Sequence, residues 1–596
     1  MKTLKQKNFF SYFQIFYSLA KGKFLALPVF MLFAGLFDGI GIVMFFPLLE
    51  YLQNGTLSQT GVAAILIKVL QSFGGNTLGG ILISIGAVFF LKFLFMFFQE
   101  VAVQKITRDL YRAVALRIIK GWSASDYKEL YLKNNAGKFV NLLARELWTF
   151  LGAFGHYAGV FVGVIYVAVY LGLSFLLDPT VTAVAFGAGI LVLTVLRRFT
   201  KKTKQYSLRI TEKDEQFQGG IIEFMQFFKY LKATNRFPKV NLYLERIVMK
   251  STDLRFKMGM IGSFIGAAPE FIAVVLVSVF IYVEIVLFGK EFALIAVLIL
   301  LFYRTLMRVV TLQSSWQKFF GCSGALKVIP EAMEEARHTR EQTGTIKKYS
   351  IEKRIQFENV SFVYDSQPVL ASINMQFKKN TTVAVVGSSG AGKSTIVDLL
   401  TGVLKPTGGR IQLDDIDYKQ IDLNTLRDSI GYVTQEIVMF RDTIASNISF
   451  WDDRNGEAVT SKVVARCAQA FCRDFIERLP QQYETNVGDR GINLSVGQRQ
   501  RIAIARELYR EPELLIFDEA TSALDTESEQ FIQKSIEAVK GTKTMILIAH
   551  RLSTIKNADY IYVLDHGQVV EEGTFDILYG NPQSKFYEMC KLQSFV

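Results

Sequence analysis

The residues best suited to chemistry in this sequence form a glycine-rich loop, GSSGAGKST, at positions 387–395. The loop fits the pattern G-x-x-x-x-G-K-[ST], in which glycines let the backbone N–H groups surround a phosphate group. Lys393 carries a positive charge that reaches β- and γ-phosphates, and the hydroxyl of Ser394 is suited to Mg²⁺. We therefore predict that the whole loop binds a nucleoside triphosphate. Its residues are Gly387, Ser388, Ser389, Gly390, Ala391, Gly392, Lys393, Ser394 and Thr395.

A second chemical motif, ELLIFDEA at positions 513–520, is an apolar run that ends in two carboxylates. Such a run predicts a buried strand that delivers both carboxylates to the edge of a sheet. Asp518 is suited to hold Mg²⁺ through water, and Glu519 is suited to act as a base that polarises an attacking water. Another apolar run, TTVAVVG, leads into the glycine-rich loop. Strand, loop and helix in this order predict an α/β P-loop NTPase domain.

The composition of the chain predicts that a membrane domain precedes this domain. The chain has 596 residues, half of them hydrophobic, with 50 phenylalanines and a mean hydropathy of +0.26. The apolar excess lies before about residue 320, which predicts a membrane domain followed by a cytosolic domain. The net charge of +13 arises largely from lysines and arginines between apolar spans, so we interpret it as a topology signal and expect no nucleic-acid partner. The four cysteines lack the spacing of metal ligands, and we interpret them as reduced structural thiols.

Six membrane spans are long and apolar enough to draw from the sequence. Lysines and arginines concentrate before the first span and in the two long segments after the second and fourth spans. The positive-inside rule therefore places the N-terminus, both long loops and the C-terminal domain in the cytoplasm, and we expect a multi-pass protein of the bacterial cytoplasmic membrane. The predicted spans cover residues 24–50, 79–101, 151–176, 179–196, 259–288 and 291–314.

The domain organisation follows from these patterns. We predict a transmembrane domain over residues 1–320, a polar linker over 321–350 and a nucleotide-binding domain over 351–596. The two basic loops contain amphipathic runs, such as ITRDLYRAVALRIIKGW, that favour helical extension of the spans over a merely solvated surface. The predicted fold class is thus an α-helical membrane domain, with six transmembrane helices and long cytoplasmic extensions, joined to an α/β P-loop NTPase domain.

Over about residues 350–590 the sequence resembles the nucleotide-binding domain of ABC transporters, because further motifs follow in that family's order. The resemblance implies that Tyr364 stacks on adenine and that Gln435, in GYVTQE, senses both Mg²⁺ and the membrane domain. It identifies LSVGQ as the signature motif, SALD as the D-loop ending at Asp525, and His550 as the switch histidine that contacts the γ-phosphate. The implied catalytic residues are Glu519, His550 and Gln435, and the implied Mg²⁺ residues are Ser394, Gln435 and Asp518.

The signature motif departs from the family pattern at one position. Valine stands at position 496, where glycine is expected, while the neighbouring signature residues Ser495, Gly497 and Gln498 are intact. Valine cannot adopt a positive φ without strain, and its side chain needs room. If position 496 is helical, valine adds bulk without removing a phosphate contact, and we expect a working ATPase.

Six spans ahead of one such domain resemble an exporter-type half-transporter, which acts as a dimer. The resemblance implies a second copy of this chain, or a related half-transporter, with each ATP held between the P-loop of one chain and the signature motif of the other. It also places coupling helices within the two basic loops. The segment ETNVGDRG, which contains Asp489 where glutamate is usual, resembles the part of exporters that contacts these helices.

The substrate must be inferred from charges inside the spans, where ionisable residues are costly. One interpretation is internal pairing of Asp38 with Lys92 or Arg304, and of Glu270 with Arg308. The other is that Arg304, Arg308 and Lys92 bind a phosphate or pyrophosphate head group, since arginine can hold two phosphate oxygens at once.

Two apolar stretches carry a further resemblance. GLFDGIGIVMFFPLLEYL in span one and LFYRTLMRVV in span six are similar to segments of bacterial flippases for lipid-linked oligosaccharides and related lipid exporters. We therefore expect ATP-driven export or flipping of an amphipathic, lipid-linked substrate. A peptide or multidrug exporter, and an ATP-gated channel or regulator, remain the alternatives.

Overall fold

The fold was analysed in a computed structural model. It describes residues 9–20, 23–54, 77–282, 292–364, 366–452, 456–519, 526–549 and 551–594. The chain divides into two compact units. The first comprises Met1–Ser125 with Glu129–Arg340, and the second comprises Asp126–Lys128 with Glu341–Val596.

The N-terminal part of the chain is helical. Its helices are α1 Phe9–Ala20, α2 Lys23–Val43, α3 Phe45–Asn54, α4 Leu78–Ser123, α5 Tyr127–Leu130, α6 Ala136–Asn141, α7 Leu147–Leu177, α8 Pro179–Gln226, α9 Phe228–Ala233, α10 Phe237–Tyr282, α11 Phe292–Gly321 and α12 Ser323–His338. A π-helical turn over Leu142–Glu146 joins α6 to α7.

Within the described residues, five helical segments are long and apolar enough to cross a membrane. They are Ala26–Gln53, Leu78–Ser123, Ala136–Leu177, Phe237–Tyr282 and Leu294–Gly321. The second and third predicted spans lie within these segments, and the first, fifth and sixth overlap them over residues 26–50, 259–282 and 294–314. Residues 283–288 of the fifth and 291 of the sixth lie outside the described residues. The predicted fourth span, 179–196, is helical as the first part of α8, but it is not among the five.

Proline explains two boundaries between these helices. Pro47 lacks an N–H and its ring crowds the carbonyl of residue 43, and α2 accordingly ends at Val43 before α3 begins at Phe45. Pro179 is the first residue of α8, a position where a missing N–H costs no helical hydrogen bond. The carboxylate of Asp178 accepts the N–H of Thr180 at 2.8 Å, which caps this helix start.

The helices continue well beyond the predicted spans. Helix α4 has 46 residues and α8 has 48, so each is about 70 Å long at 1.5 Å per residue, against about 30 Å for a bilayer core. The predicted helical extension of the basic loops is therefore confirmed. The segment predicted as a linker, 321–350, instead forms α12 over Ser323–His338. The reason is that Leu326, Ile329 and Ala332 are buried at helical spacing.

The second unit is built on two sheets. A six-stranded sheet has the order β10-β9-β3-β8-β7-β6, with parallel pairing from β9 to β6 and β10 antiparallel to β9. A four-stranded antiparallel sheet has the order β2-β1-β4-β5. The strands are β1 Arg354–Tyr364, β2 Gln367–Lys378, β3 Thr382–Gly387, β4 Gly408–Leu413, β5 Ile416–Asp417, β6 Ile430–Val433, β7 Leu514–Asp518, β8 Thr544–Ile548, β9 Tyr560–Asp565 and β10 Gln568–Gly573.

Helices and short 3-10 turns complete this unit. The 3-10 turns cover Tyr418–Gln420, Gln482–Glu484 and Asp489–Gly491. The helices are α13 Lys393–Leu400, α14 Leu423–Asp428, α15 Ile444–Ser449, α16 Gly456–Gln469, α17 Arg473–Glu477, α18 Val496–Tyr509, α19 Thr526–Val539, α20 Leu552–Ile555, α21 Phe575–Tyr579 and α22 Lys585–Ser594. Parallel strands β3 and β7 flank β8, so the loop after β3 and the carboxylates at the end of β7 lie at the same sheet edge.

Candidate functional site

The glycine-rich loop begins where β3 ends, and its glycines are required by space and conformation. A Cβ atom at Gly387 would lie 2.4 Å from the carbonyl oxygen of Leu564, and one at Gly392 would lie 2.6 Å from Leu370. Gly390 and Gly392 have φ angles of +82° and +100°, which other residues rarely adopt. The loop therefore holds a close backbone curve at the N-terminus of α13, where N–H groups are free to bind an anion.

Lys393, the first residue of α13, is buried inside this curve. Its ammonium group donates to the carbonyl oxygens of Gly387 at 2.9 Å and Ser388 at 3.0 Å. Burial lowers the pKa of Lys393, and the carboxylates of Glu519 and Asp518 oppose that shift. The lysine thus lies between the predicted phosphate loop and the predicted acidic pair, as a cation that bridges them requires.

The acidic pair at the end of β7 is fixed by neutral partners. The hydroxyl of Tyr432 donates to Asp518 Oδ2 at 3.0 Å, and Gln435 Nε2 donates to Glu519 Oε2 at 2.6 Å. Glu519 has a φ of +47°, and its N–H donates to the carbonyl of Ile548 on β8 at 2.9 Å. A left-handed conformation is uncommon outside glycine, and it turns the Glu519 side chain out of the strand direction.

Helix α13 brings further polar groups to this edge. Ser394 is exposed, and the pKa of Tyr364 is raised by burial and then by the Asp398 carboxylate, while the Thr395 side chain opposes the shift. Burial, and then the neighbouring Asp518 carboxylate, raises the pKa of Asp398 to about 6. The glycine-rich loop, Lys393, the acidic pair, Gln435 and Tyr364 therefore lie close together within one chain, and their roles toward a nucleotide stay predictions.

The signature residues form a separate arrangement at the start of α18. Ser495 Oγ accepts the N–H of Gln498 at 3.2 Å, and Gln498 Oε1 accepts the N–H of Ser495 at 2.9 Å, which is a capping box. Val496 is the first residue of the helix, lies outside the positive-φ region and is 39% exposed, so this position does not need glycine. Within the described part of the chain, no hydrogen bond or ion pair joins Ser495, Val496, Gly497 or Gln498 to the glycine-rich loop.

Two predicted functional residues lie outside the described residues: Asp525 of the D-loop and His550. Their predicted contacts with phosphate remain predictions.

Sequence reasoning missed Arg506, a buried arginine on α18. Its guanidinium donates to the carbonyls of Asn447 and Val438, both at 2.7 Å, and to Asn447 Oδ1 at 2.9 Å. Asn447 in turn bonds both backbone groups of Phe440, five residues after Gln435. Arg506 therefore ties the signature helix to the segment that follows Gln435. The only sequence signal was an arginine within the apolar run IAIARELY.

A second missed contact reaches the glycine-rich loop itself. Ser388 Oγ donates to Asp565 Oδ1 at 3.5 Å, and Asp565 forms an ion pair with Lys585 at the start of α22. The Lys585 ammonium lowers the pKa of Asp565. A carboxylate next to a phosphate-binding loop would repel phosphate, and the lysine offsets that charge.

The first unit, called the membrane unit below because it contains the five apolar segments, has a separate cluster of charges around Asp38. This carboxylate is fully buried and lies 2.7 Å from Lys92 Nζ and 3.6 Å from Arg308 Nη2. The Tyr170 hydroxyl donates to the same carboxylate, and the Arg308 guanidinium lies 4.1 Å from the centre of the Tyr166 ring. The cluster joins helices α2, α4, α7 and α11.

The pairing of Asp38 with Lys92, one of the two alternatives, is confirmed. The pairing of Glu270 with Arg308 is wrong, because Arg308 faces Asp38 and the Glu270 side chain is exposed. Counting residues from the span ends gives depth but not the direction a side chain takes around its helix. Arg304 forms no ion pair within the described residues, so it is the predicted substrate residue without a carboxylate partner.

Comparison with known proteins identifies the family and the fold of the chain. A family profile described as ABC transporter matches residues 370–522. The heterocyst differentiation ATP-binding protein HepA from Nostoc sp. is 32% identical over 459 residues, which are 75% of this chain and 74% of that protein.

ATP-dependent lipid A-core flippases are also similar. The one from Haemophilus influenzae is 34% identical over 65% of each chain, and the one from Chromohalobacter salexigens is 48% identical over 38% of each. The chain thus spans about two thirds or less of the flippases' lengths. The solved structure of a bacterial Atm1-family ABC exporter with ATP bound matches 97% of this chain and 99% of its own, with a TM-score of 0.79 at 24% identity. That likeness establishes the fold.

Proposed function

Because this chain belongs to the ABC transporter family, we propose that its ATPase domain drives export or flipping of an amphipathic, phosphate-bearing lipid across the bacterial cytoplasmic membrane. The chain binds ATP and is a multi-pass membrane protein of the exporter fold. The phosphate-bearing lipid as substrate and the bacterial cytoplasmic membrane as location are proposals.

We assign the nucleotide chemistry to residues that the fold brings to one sheet edge. The backbone of the glycine-rich loop and Lys393 would hold the phosphates, and Tyr364 would stack on adenine. Mg²⁺ fits Ser394, Gln435 and Asp518, because hydroxyl, carboxamide and carboxylate oxygens are the ligands this hard cation prefers. The metal would supply charge neutralisation at the phosphates.

We assign the role of general base to Glu519. The Gln435 carboxamide holds its carboxylate by a 2.6 Å hydrogen bond, in a position to accept a proton from an attacking water. His550 and Asp525 would complete the site through the γ-phosphate and the partner chain. Gln435 thus serves both the base and the metal, which makes it suited to report nucleotide state.

We further propose that two copies, or this chain and a related half-transporter, share each ATP. The support is that the signature residues of one chain cap their own helix and do not contact that chain's glycine-rich loop within the described residues. Ser495 and the N-terminus of α18 therefore remain available to the phosphates bound by a partner.

The substrate proposal is carried by the charge of the membrane cluster. Lys92 and Arg308 share the single carboxylate of Asp38, and Arg304 lies one helical turn from Arg308. Within the Asp38 cluster, two cations therefore face one carboxylate, and this net positive charge suits an anionic head group. Two of the relatives are named ATP-dependent lipid A-core flippases, which supports a lipid as the substrate.

The test is ATP hydrolysis by the full-length protein in nanodiscs containing phosphate-bearing lipids, zwitterionic lipids alone, or added peptides. Phosphate-bearing lipids should stimulate hydrolysis, and Arg304→Ala and Arg308→Ala should reduce that stimulation more than the basal rate. Stimulation by peptides and not by lipids would favour a peptide exporter. Equal loss of basal and stimulated rates would assign both arginines a structural role.

A further inference from the structure

The Asp38 cluster holds its two cations unequally. Lys92 Nζ lies 2.7 Å from Asp38 Oδ1, within a charge-assisted hydrogen bond, whereas Arg308 Nη2 lies 3.6 Å from Oδ2, beyond hydrogen-bond range. The Tyr170 hydroxyl occupies that same Oδ2 atom. Asp38 therefore has one tight partner, one neutral donor and one loosely held cation.

Arg308 is suited to change partners. One face of its guanidinium packs on the Tyr166 ring at 4.1 Å, which fixes the group while its edge carries the N–H donors. A quarter of the Arg308 side chain remains exposed, whereas Asp38 is fully buried. An arriving anion can therefore reach Arg308 without reaching Asp38.

Charge balance permits the exchange. A buried carboxylate without a cation would be strongly disfavoured, but Lys92 and the Tyr170 hydroxyl still satisfy Asp38 when Arg308 turns away. The cluster as a whole carries an excess positive charge, which an anionic head group would remove. Lys92 cannot be released in the same way, because Asp38 would lose its closest cation.

We propose that Asp38 is an internal counter-ion that the phosphate of an anionic lipid replaces on Arg308, while Lys92 stays with Asp38. This inference rests on the proposed lipid substrate and assigns its residues distinct roles. Arg308 binds the head group, Lys92 positions Asp38, and the carboxylate competes with the substrate. Asp38 thereby sets how much anionic lipid is needed to engage the transporter.

Substitutions at Asp38 and at Lys92 should have opposite effects on phosphate binding by Arg308. Asp38→Asn keeps the shape and removes the competing charge, so Arg308 should bind phosphate more readily. Among the described residues, Lys92→Gln leaves Arg308 as the cation that forms an ion pair with Asp38, so the arginine should be held more tightly and bind phosphate less readily. Tyr170→Phe removes a donor from Asp38 and should act in the same direction as Lys92→Gln.

The experiment uses the full-length protein in phosphatidylcholine nanodiscs with increasing phosphatidic acid as the probe. Lipid binding is measured by native mass spectrometry, and the half-maximal lipid fraction is measured by ATP hydrolysis. We expect Asp38→Asn to lower that fraction by about fivefold, and Lys92→Gln and Tyr170→Phe each to raise it by about threefold or more. Glu270→Gln, a matched removal of an exposed membrane carboxylate, should leave it unchanged.

A double variant tests which cation binds the phosphate. Asp38→Asn removes the carboxylate from both Lys92 and Arg308, and Arg308→Gln should abolish the resulting gain because phosphate binding is assigned to Arg308 and not to Lys92. Shifts of Asp38→Asn and Lys92→Gln in the same direction, or a gain that survives Arg308→Gln, would overturn the inference while leaving lipid transport intact. Failure of the unaltered protein to bind phosphatidic acid would overturn the substrate proposal and this inference together. If Asp38→Asn does not fold, the rise expected for Lys92→Gln and Tyr170→Phe still decides the matter.

Discussion

Replacing Arg506 by methionine should destabilise the nucleotide-binding domain strongly. The change keeps an unbranched apolar stem but removes the guanidinium and its three hydrogen bonds, of 2.7, 2.7 and 2.9 Å. The carbonyl and side-chain oxygens of buried Asn447 lose these donors. Hydrogen bonds from a charged donor contribute about 1.5–3 kcal/mol each. Burial of the guanidinium also costs free energy of hydration, which the methionine variant does not lose, so we expect a net decrease of about 3 kcal/mol in the free energy of unfolding. For a domain of this size that corresponds to a fall in Tm of about 6–12 °C.

Thermal unfolding of the purified full-length protein, followed by tryptophan fluorescence and by loss of nucleotide binding, measures this effect. Arg510→Met is the matched control, because Arg510 lies four residues along the chain, is exposed and makes only 3.3 Å hydrogen bonds. The control should lower Tm by no more than about 2 °C. An equal fall in Tm for both variants would show that the Arg506 hydrogen bonds between the signature helix and the segment after Gln435 do not stabilise the domain as proposed.

Three further predictions concern the nucleotide site. Val496→Gly should leave ATP hydrolysis within about threefold, because Val496 is already helical; activation of an otherwise silent enzyme would contradict this reading. The folded pKa of Asp398, about 6, lies above its unfolded value, so stability without nucleotide should fall as pH rises from about 4 to about 6, and Asp398→Asn should flatten that part of the Tm–pH curve. Lys585→Met should weaken ATP binding about threefold by exposing phosphate to the Asp565 charge, and adding Asp565→Asn should restore the affinity measured by nucleotide titration.

Much of the nucleotide site follows from local sequence. A glycine-rich loop after one apolar strand and a carboxylate pair after another must meet at one sheet edge, because parallel strands align their carboxyl ends. Lys393, Asp518 and Glu519 converge for this reason. The position of Val496 at a helix start was likewise readable, since Ser495 and Gln498 have capping-box spacing.

The contacts that could not be predicted join segments far apart in sequence. Arg506 reaches Asn447 across 59 positions, and no local pattern distinguishes that arginine from a solvated one. In the membrane unit, Asp214 on α8 pairs with Arg145 of the π-helical turn and with Arg255 on α10. Such pairings depend on helix rotation and packing, which hydropathy and charge counts leave open.

We propose that ATP hydrolysis at the Glu519 site drives directional movement of a phosphate-bearing lipid. Reconstitution of the full-length protein into proteoliposomes with a fluorescent anionic phospholipid, followed by leaflet-specific quenching, tests it directly. We expect ATP-dependent accumulation of the lipid in one leaflet, and loss of that accumulation in Glu519→Gln, which should still bind ATP. Lipid that only equilibrates between leaflets, at a rate unaffected by Glu519→Gln, would contradict ATP-driven transport.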